Sequence, residues 1–231
     1  KFSNNYIYKK DKKFSSIVLK NISFNYKDSK KYIIKNFSAV FNIGKTYAIQ
    51  GASGSGKSTL LDLILYLLEP NHGNILIKDA NSNFLSNSKS FIQNNALLIG
   101  QNDFYCGSYV WELLEYDKNN DYSEKFFEKL NYGAKKLGIY EFLEKDFLNT
   151  FIGENGSKLS GGQLQRLILL KAFISNKKIL VFDEVTSALD EKNEKIIIDL
   201  FIKPKNLDNI RIFSTHSKLL KDHCDETITI K

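Results

Sequence analysis

The chain has 231 residues, of which 42% are hydrophobic, and it carries a formal net charge of +7. A chain of this length can form one compact unit with a subdomain, and it contains no apolar run near the ~20 residues that cross a bilayer. Its basic residues are scattered and do not alternate with aromatic ones, which favours a solvated surface over a nucleic-acid interface. Because the sequence contains no methionine, we expect it to be part of a longer polypeptide.

The first third of the sequence predicts β-strands. Its strand segments alternate β-branched or aromatic side chains with polar ones, and they cover residues 15–26, 31–42 and 45–51. The apolar residues 60–68 then predict a buried helix that ends before Pro70 and Gly73. Further strands are predicted at residues 74–79 and 96–101.

The second half of the sequence alternates helices with strands. From about Tyr109 to Leu148, charged residues recur at helical spacing. Helices are also predicted for residues 163–174 and 193–202, a buried strand for residues 177–184 and another strand for residues 210–216. Strands that alternate with helices after the phosphate loop, residues 74–79 included, imply a doubly wound, largely parallel sheet, so the predicted fold class is α/β.

A glycine-rich loop separates the third strand from the first helix. Its sequence fits the pattern G-x-x-x-x-G-K-[ST], in which small residues let consecutive backbone amides surround phosphate groups at a helix N-terminus. Lys57 is expected to bridge phosphate oxygens, and the hydroxyl of Ser58 is expected to bind Mg²⁺. The residues predicted to contact the nucleotide are Gly51, Ser53, Gly54, Ser55, Gly56, Lys57, Ser58 and Thr59.

An acidic pair at the end of a buried strand predicts the second part of this site. Asp183 and Glu184 follow the apolar run ILVF, and ligands of parallel sheets bind at the carboxyl ends of the strands. Asp183 is placed to hold Mg²⁺, while Glu184 is suited to polarise an attacking water. Such a pair can also be a simple helix cap, but together with the phosphate loop it indicates a nucleoside triphosphatase.

A second glycine-rich segment, LSGGQ at residues 159–163, precedes another predicted helix. Its glycines also suit a backbone that approaches an anion closely, yet a nucleotide has only one set of phosphates, which Lys57 already serves. One interpretation is that this segment binds the γ-phosphate of a nucleotide held by another molecule. Two chains would then face each other head to tail, with two equivalent composite sites.

Together with Gln165 and Arg166, this segment resembles the signature of the ATP-binding cassette (ABC) ATPases, and the other motifs follow in that family's order. The resemblance implies ATP and Mg²⁺ as ligands, with the nucleotide enclosed between the phosphate loop of one domain and the signature of the other. It also implies a P-loop NTPase (RecA-like) core with an antiparallel β-subdomain and a helical subdomain. The contacts to the other copy's ATP would come from Ser160, Gly161, Gly162 and Gln163.

The same resemblance implies roles for residues outside the glycine-rich segments. Tyr26 is similar to the aromatic residue that stacks on adenine, and a tyrosine in a strand core is the alternative. Gln101 resembles the glutamine that touches Mg²⁺ and the attacking water. His216 resembles the histidine that contacts the γ-phosphate and orients Glu184, and residues 187–190 resemble the loop that crosses the dimer interface.

The resemblance also implies a domain organisation and a set of partners. Residues 1–231 would form one ABC ATPase domain, with the core and β-subdomain at about 1–101 and 166–231 and the helical subdomain at about 102–165. The implied partners are a second copy of the chain, facing it through the nucleotide sites, and a membrane domain N-terminal to it. No nucleic acid is expected, and the chain would lie at the cytoplasmic face of a membrane.

Two features favour an exporter within this family. The segment FIGENGSKLSGGQ, with Glu154 in its acidic position, resembles a loop of exporters that lies near the membrane domain. Glu184 and His216 are both present, which favours a homodimer with two working sites. The alternatives are a separate ATPase subunit of another ABC transporter and a DNA-associated ABC ATPase. Lipid, peptide, glycan carrier and drug all stay open as the transported substrate.

Overall fold

A computed structural model describes residues 13–27, 29, 31–100, 108–117, 122–144, 146–186, 191–204 and 208–230. The strands are β1 Phe14–Phe24, β2 Ile34–Asn42, β3 Thr46–Gln50, β4 His72–Asp79, β5 Ala96–Ile99, β6 Ile179–Asp183, β7 Ile210–Ser214 and β8 Glu226–Thr229. The α-helices are α1 Lys57–Ile64, α2 Ser88–Asn95, α3 Val110–Leu113, α4 Glu124–Lys136, α5 Gly161–Ile174, α6 Glu191–Ile197 and α7 Lys218–His223. A π-helical turn, Ile198–Ile202, continues α6, and 3₁₀ turns lie at Ile139–Glu141, Phe147–Asn149 and Glu154–Gly156.

The chain divides into two compact units, and one of the three boundaries between them falls inside α1. The first unit contains the described residues up to Ile43 together with Thr59–Asn94. The second contains Gly44–Ser58 and the described residues from Asn95 onward. The helical segment between β5 and β6 belongs to the same unit as those strands, and the bounds of a separate helical subdomain stay a prediction.

The first unit contains a three-stranded antiparallel sheet in the order β2-β1-β4. In the central strand, Ile17 lies opposite Phe41 of β2 and Ile77 of β4, and all three side chains are buried. Phe14 of β1 also contacts Phe91 of α2, with the ring centroids 5.0 Å apart. The N-terminal strands therefore form the antiparallel sheet that the resemblance implied.

The structure corrects the prediction for β4. Because this strand follows the phosphate loop, we expected it to join the parallel sheet, but it pairs antiparallel with β1. Its burial alternates: Ile75 and Ile77 are buried, whereas Asn74 is exposed and Leu76 is partly exposed. This alternation is typical of an antiparallel strand with one solvated face, and a parallel strand shows a continuous apolar run instead.

The second unit contains a five-stranded sheet in the order β5-β6-β7-β3-β8, and every neighbouring pair in it is parallel. The residues of β3, β6 and β7 are almost all buried, as expected for strands covered on both faces. Because β7 lies between β3 and β6, Ser214 at its end pairs with both Ile49 and Asp183. The segments that follow these three strands therefore meet at one edge of the sheet.

The helices of the second unit confirm most of the helical predictions. α4 and α5 lie where they were expected, and Leu130 and Leu170 from these helices are buried in one hydrophobic cluster with Phe182 of β6. A helix was also expected at residues 110–116, but only the single turn α3 forms there. The helix cannot continue through Glu115, whose φ of 54° is not a helical angle. None of the described helices is long and apolar enough to cross a membrane.

Candidate nucleotide-binding site

The phosphate loop runs from the end of β3 to the start of α1, and its glycines are required by close packing at one position and by backbone angles at two others. A Cβ on Gly51 would lie 2.4 Å from Oγ of Ser55 and 2.8 Å from the carbonyl oxygen of Ile230. Gly54 and Gly56 have φ angles of 76° and 95°, a left-handed conformation that only glycine adopts at no steric cost. The shape of the loop therefore requires its glycines. The exposed members of the predicted set are Ser53, Gly54 and Ser58.

Lys57 is the first residue of α1, and its side chain is buried. Its Nζ atom donates hydrogen bonds to the carbonyl oxygens of Gly51 at 3.2 Å and Ala52 at 3.3 Å. The same atom lies 3.9 Å from Oε1 of Glu184. The ammonium group is thus held against the loop backbone, where the phosphates of a nucleotide are expected to bind.

Substituting Gly51 with alanine is expected to weaken nucleotide binding about tenfold, because the new Cβ displaces Ser55 or the Ile230 carbonyl and opens the loop. Titration with a fluorescent ATP analogue, at a protein concentration low enough to keep copies apart, measures this affinity. Gly161→Ala is the matched control, since a Cβ there meets nothing within 4 Å. Equal affinities for the two variants would contradict a close-packed loop.

The acidic pair lies at the end of β6, next to the end of β7. Glu184 donates its backbone N–H to the carbonyl oxygen of Ser214 at 3.2 Å, and its φ of 51° is uncommon outside glycine. Its Oε1 atom lies 3.9 Å from Nζ of Lys57 and 3.8 Å from Nε2 of His216. The Glu184 side chain is 39% exposed and that of His216 is 59% exposed. A carboxylate therefore lies between a buried cation and an accessible imidazole.

Two oxygen atoms at this edge of the sheet fit a Mg²⁺ ion. Oδ1 of Asp183 is buried and has no hydrogen-bond partner among the described residues, which is costly unless another group binds it. The exposed Ser58 supplies a hydroxyl at the start of α1. Since Mg²⁺ is usually bound through one or two protein ligands together with phosphates and waters, this small donor set suits an ion that a nucleotide helps to hold.

Residues that we did not predict hold the loop around His216. The hydroxyl oxygens of Thr215 and Thr186 lie 3.2 Å apart, and Thr215 Oγ1 accepts a hydrogen bond from the backbone amide of Ser217 at 3.0 Å. The hydroxyl of Ser217 donates to Glu194 at 2.9 Å. The sequence contains a signal that could have predicted this loop: Ser and Thr residues cluster after β7, and their side chains commonly close turns.

The signature segment, residues 159–163, forms the start of α5. Oγ of Ser160 accepts a hydrogen bond from the backbone amide of Gln163 at 3.3 Å, and Oε1 of Gln163 accepts one from the amide of Ser160 at 2.9 Å. This reciprocal pair is a capping box. Gly161 and Gly162 are exposed, with nothing within 4 Å of a Cβ at either. The positive end of a 14-residue helix is thus rigid and open to an anion from outside.

The structure brings together the lysine, glutamate and histidine of the phosphate site, but it does not connect the signature segment to them directly. Within the described ranges, no hydrogen bond or ion pair links the two groups. An indirect connection runs through neighbouring residues. Gln165, two residues after the signature segment, donates from Nε2 to the carbonyl oxygen of Val185, the residue after Glu184, at 2.6 Å. Among the described residues, the signature segment therefore has no hydrogen-bond or ion-pair partner in the phosphate site of its own chain.

Tyr26 lies just beyond the end of β1 and is 45% exposed, whereas Phe24 is 7% exposed. The two rings meet edge to face with their centroids 5.1 Å apart, and the Tyr26 hydroxyl lies 3.4 Å from that of Thr59 in α1. The ring of Tyr26 is therefore accessible. Gln101 and residues 187–190, for which roles were also predicted, lie outside the described residues.

A parallel sheet that carries a glycine-rich loop after β3 and an acidic pair after β6 defines a nucleoside-triphosphate-binding domain of the P-loop class. The profile of the ABC transporter family matches residues 34–187. The chain belongs to this family, which confirms both the resemblance and the α/β fold class, and makes ATP the nucleotide.

Known proteins similar to this chain include exporters. The chain is 32% identical over 229 residues to the ATP-dependent lipid A-core flippase of Haemophilus influenzae (strain 86-028NP), covering 98% of the chain and 38% of the flippase. It is 32% identical over 216 residues to the lactococcin-G-processing and transport ATP-binding protein LagD of Lactococcus lactis subsp. lactis, covering 93% of the chain and 30% of that protein. A bacterial Atm1-family ABC exporter with ATP bound has a similar structure, with a TM-score of 0.77 at 25% identity over 94% of this chain and 37% of the exporter. The chain thus spans between 30% and 38% of the length of these proteins.

Proposed function

We propose that this chain is the ATP-hydrolysing domain of an exporter, in which two copies close head to tail around two ATP molecules and drive a substrate through an associated membrane domain. The observation that carries the proposal is the exposed, capped start of α5, which makes no hydrogen bond or ion pair with the described residues of the phosphate site in its own chain. An anion site that is rigid, accessible and unused within one copy suits the γ-phosphate of a nucleotide held by a second copy.

ATP fits the phosphate loop through its β- and γ-phosphates, where the ammonium group of Lys57 neutralises part of their charge. Ser58 and Asp183 are the described residues that would hold Mg²⁺, which supplies further charge neutralisation and orients the phosphates. By the family resemblance, Gln101 serves the same ion and the accessible ring of Tyr26 stacks on adenine.

Glu184 acts as the general base in this proposal. Its carboxylate accepts a proton from water while the water oxygen bonds to the γ-phosphorus and ADP departs. His216 Nε2 lies 3.8 Å from the same carboxylate oxygen, so the imidazole is placed to keep the base in position and to donate to the γ-phosphate. The backbone turn at Glu184, with its φ of 51°, directs the carboxylate toward both Lys57 and His216.

The membrane partner is supported by the relatives, because the named flippase and transport protein are each more than twice as long as this chain. A docking face is suggested by Tyr109 and Phe151, which are exposed and have ring centroids 5.4 Å apart. Lys158 Nζ lies 4.3 Å above the Phe151 ring. Phe151 and Lys158 belong to the segment FIGENGSKLSGGQ, which resembles the exporter loop that lies near the membrane domain. A contact with that domain would place the chain at the cytoplasmic face of the membrane.

The rate of ATP hydrolysis per molecule, measured against protein concentration with Mg²⁺ present, tests the proposal. We expect the specific rate to rise with concentration, since each working site needs two copies, and to vanish when EDTA removes the metal. A rate that does not depend on concentration would contradict the composite site. The absence of hydrolysis at every concentration would contradict the ATPase function itself.

A further inference from the structure

Gln165 of α5 contacts the turn after β6, a contact that the proposed mechanism does not use. The residue lies two positions beyond the signature segment, where it is half-buried between the exposed start of the helix and its buried remainder. Its Nε2 atom donates to the carbonyl oxygen of Val185 at 2.6 Å. Because a carbonyl oxygen can only accept, the nitrogen of the side-chain amide must face it. Val185 is 2% exposed, so its backbone depends on partners within the protein.

The turn that follows β6 needs such support because Glu184 adopts an uncommon backbone conformation there. The strand ends at Asp183, and the φ of 51° at the next residue persists only where the surrounding structure holds it. On one side, the backbone N–H of Glu184 donates to the carbonyl oxygen of Ser214 in β7 at 3.2 Å. On the other side, Gln165 holds the carbonyl of Val185. The conformation of the proposed base is thus fixed from two elements, β7 and α5.

The same turn is also connected to the loop of His216. The hydroxyl oxygens of Thr186 and Thr215 lie 3.2 Å apart, and both side chains are buried. This connection and the one through Ser214 both lead to β7 or to the loop after it. Gln165, in contrast, connects the turn to the helix that starts with the signature segment. The phosphate site and the signature segment, which would serve two different nucleotides, are therefore linked indirectly within a single chain.

We propose that Gln165 is a positioning residue, which keeps Glu184 of its own chain directed at Lys57 and His216 by holding the carbonyl of Val185. This role rests on the proposed function, in which Glu184 is the general base. Gln165 itself touches neither the nucleotide nor the attacking water. Since α5 begins with the segment that would meet the nucleotide of the second copy, the base of each copy is held by the helix that closes on the other copy's ATP.

Gln165→Met removes the donor while it keeps the length of the side chain and a good helix-forming residue. The rate of single-turnover ATP hydrolysis should fall roughly tenfold, which is the scale of one lost hydrogen bond. The affinity of single copies for ATP should stay the same, because the phosphate loop is untouched. Gln93→Met is the matched control, since the exposed Gln93 of α2 donates a similar hydrogen bond to the Tyr66 carbonyl at 3.4 Å. This control should hydrolyse ATP like the unmodified chain.

Mixed pairs of copies show on which nucleotide Gln165 acts. A large excess of a Glu184→Gln copy places nearly every working copy in a pair that has one intact base. When the working copy carries Gln165→Met, single-turnover hydrolysis should fall roughly tenfold. When the Glu184→Gln copy carries Gln165→Met instead, the rate should equal that of the mixed pair in which both copies keep Gln165. A decrease only in the second arrangement would overturn the proposal, because Gln165 would then act through the signature segment on the partner's nucleotide. Equal decreases in both arrangements, or none in either, would overturn it as well.

Hydrogen exchange in the nucleotide-free chain gives a second measurement that does not depend on hydrolysis. The amide of Glu184, which donates to Ser214, should exchange roughly tenfold faster in Gln165→Met than in the unmodified chain or in Gln93→Met, because the turn opens more often. Unchanged exchange would overturn the role of Gln165 even if ATP is hydrolysed as proposed. Faster exchange in a chain that hydrolyses no ATP at any concentration would contradict the proposed function instead, while the hold of Gln165 on this turn would be confirmed.

Discussion

Replacing Glu184 with glutamine is expected to lower ATP turnover at least about a hundredfold while ATP binding is retained, because the loss of a general base costs roughly 10²–10⁴ in rate. The amide has the length and shape of the carboxylate but cannot accept the proton of the attacking water. The nucleotide stays intact in the composite site, so the variant should also accumulate as an ATP-bound dimer. Phosphate release measures the turnover, and a sizing column with and without ATP measures the dimer.

Glu128→Gln is the matched control for this substitution, since Glu128 is an exposed carboxylate on α4 outside the proposed site. It should keep the turnover of the unmodified chain. Full turnover in Glu184→Gln would remove Glu184 as the base. Loss of ATP binding in that variant would instead show that Glu184 holds the phosphate loop in shape through its neighbour Lys57, 3.9 Å away.

Arginine in place of Ser160 is expected to prevent two copies from closing, and turnover should fall to the level of separated copies. Ser160 is exposed at the start of α5, so the long side chain would cover the amides of Gly161 and Gly162 and add positive charge at the positive end of the helix. Binding of ATP to a single copy should be unchanged, because the phosphate loop is untouched. Nucleotide titration at low protein concentration and turnover at high concentration separate the two effects.

Two further variants show whether this effect is specific. Ser123→Arg makes the same change at the N-cap of α4, where the serine side chain forms no capping hydrogen bond, and it should leave turnover unchanged. Ser160→Ala removes the capping oxygen without adding bulk and should cost about 1 kcal/mol of helix stability. If Ser160→Arg abolished ATP binding by single copies, the signature segment would be acting on the nucleotide of its own chain.

The elements that the sequence predicted best are those whose burial is uniform. The continuous apolar run ILVF identifies β6, and β7 is apolar except for Arg211 and its last residue, Ser214; the structure confirms both strands, which lie inside the parallel sheet. β4 was placed in the wrong sheet because it follows the phosphate loop and its residues 75–77 are consecutively apolar, so its alternating burial is visible only in the structure. α2 and β8 were not predicted, since α2 buries only Ser88 and Ile92 and β8 is a largely exposed edge strand. Elements that bury so little surface leave a weak pattern.

The candidate site shows a similar division. The phosphate loop and the signature segment are each a continuous stretch of sequence, so their residues can be identified without knowledge of the fold. The approach of Lys57, Glu184 and His216 depends on the strand order, which places β7 between β3 and β6, and no local pattern specifies that order. Outside the site, Arg211 of β7 was equally unpredictable, because its Nη2 atom donates a hydrogen bond to the carbonyl oxygen of Gly44, which is 167 residues away in the chain.

The capping box at Ser160 and Gln163 bears on how two copies would distinguish ATP from ADP. Since the reciprocal hydrogen bonds already fix the start of α5 in a single copy, little conformational entropy is lost there when a second copy approaches. In the proposed dimer, discrimination would depend on the ligand and not on ordering of the protein: the γ-phosphate of ATP would reach the exposed amides, and ADP has no group in that position. In the proposed arrangement the two copies separate after hydrolysis because the anion between them is gone, without any refolding of the signature segment.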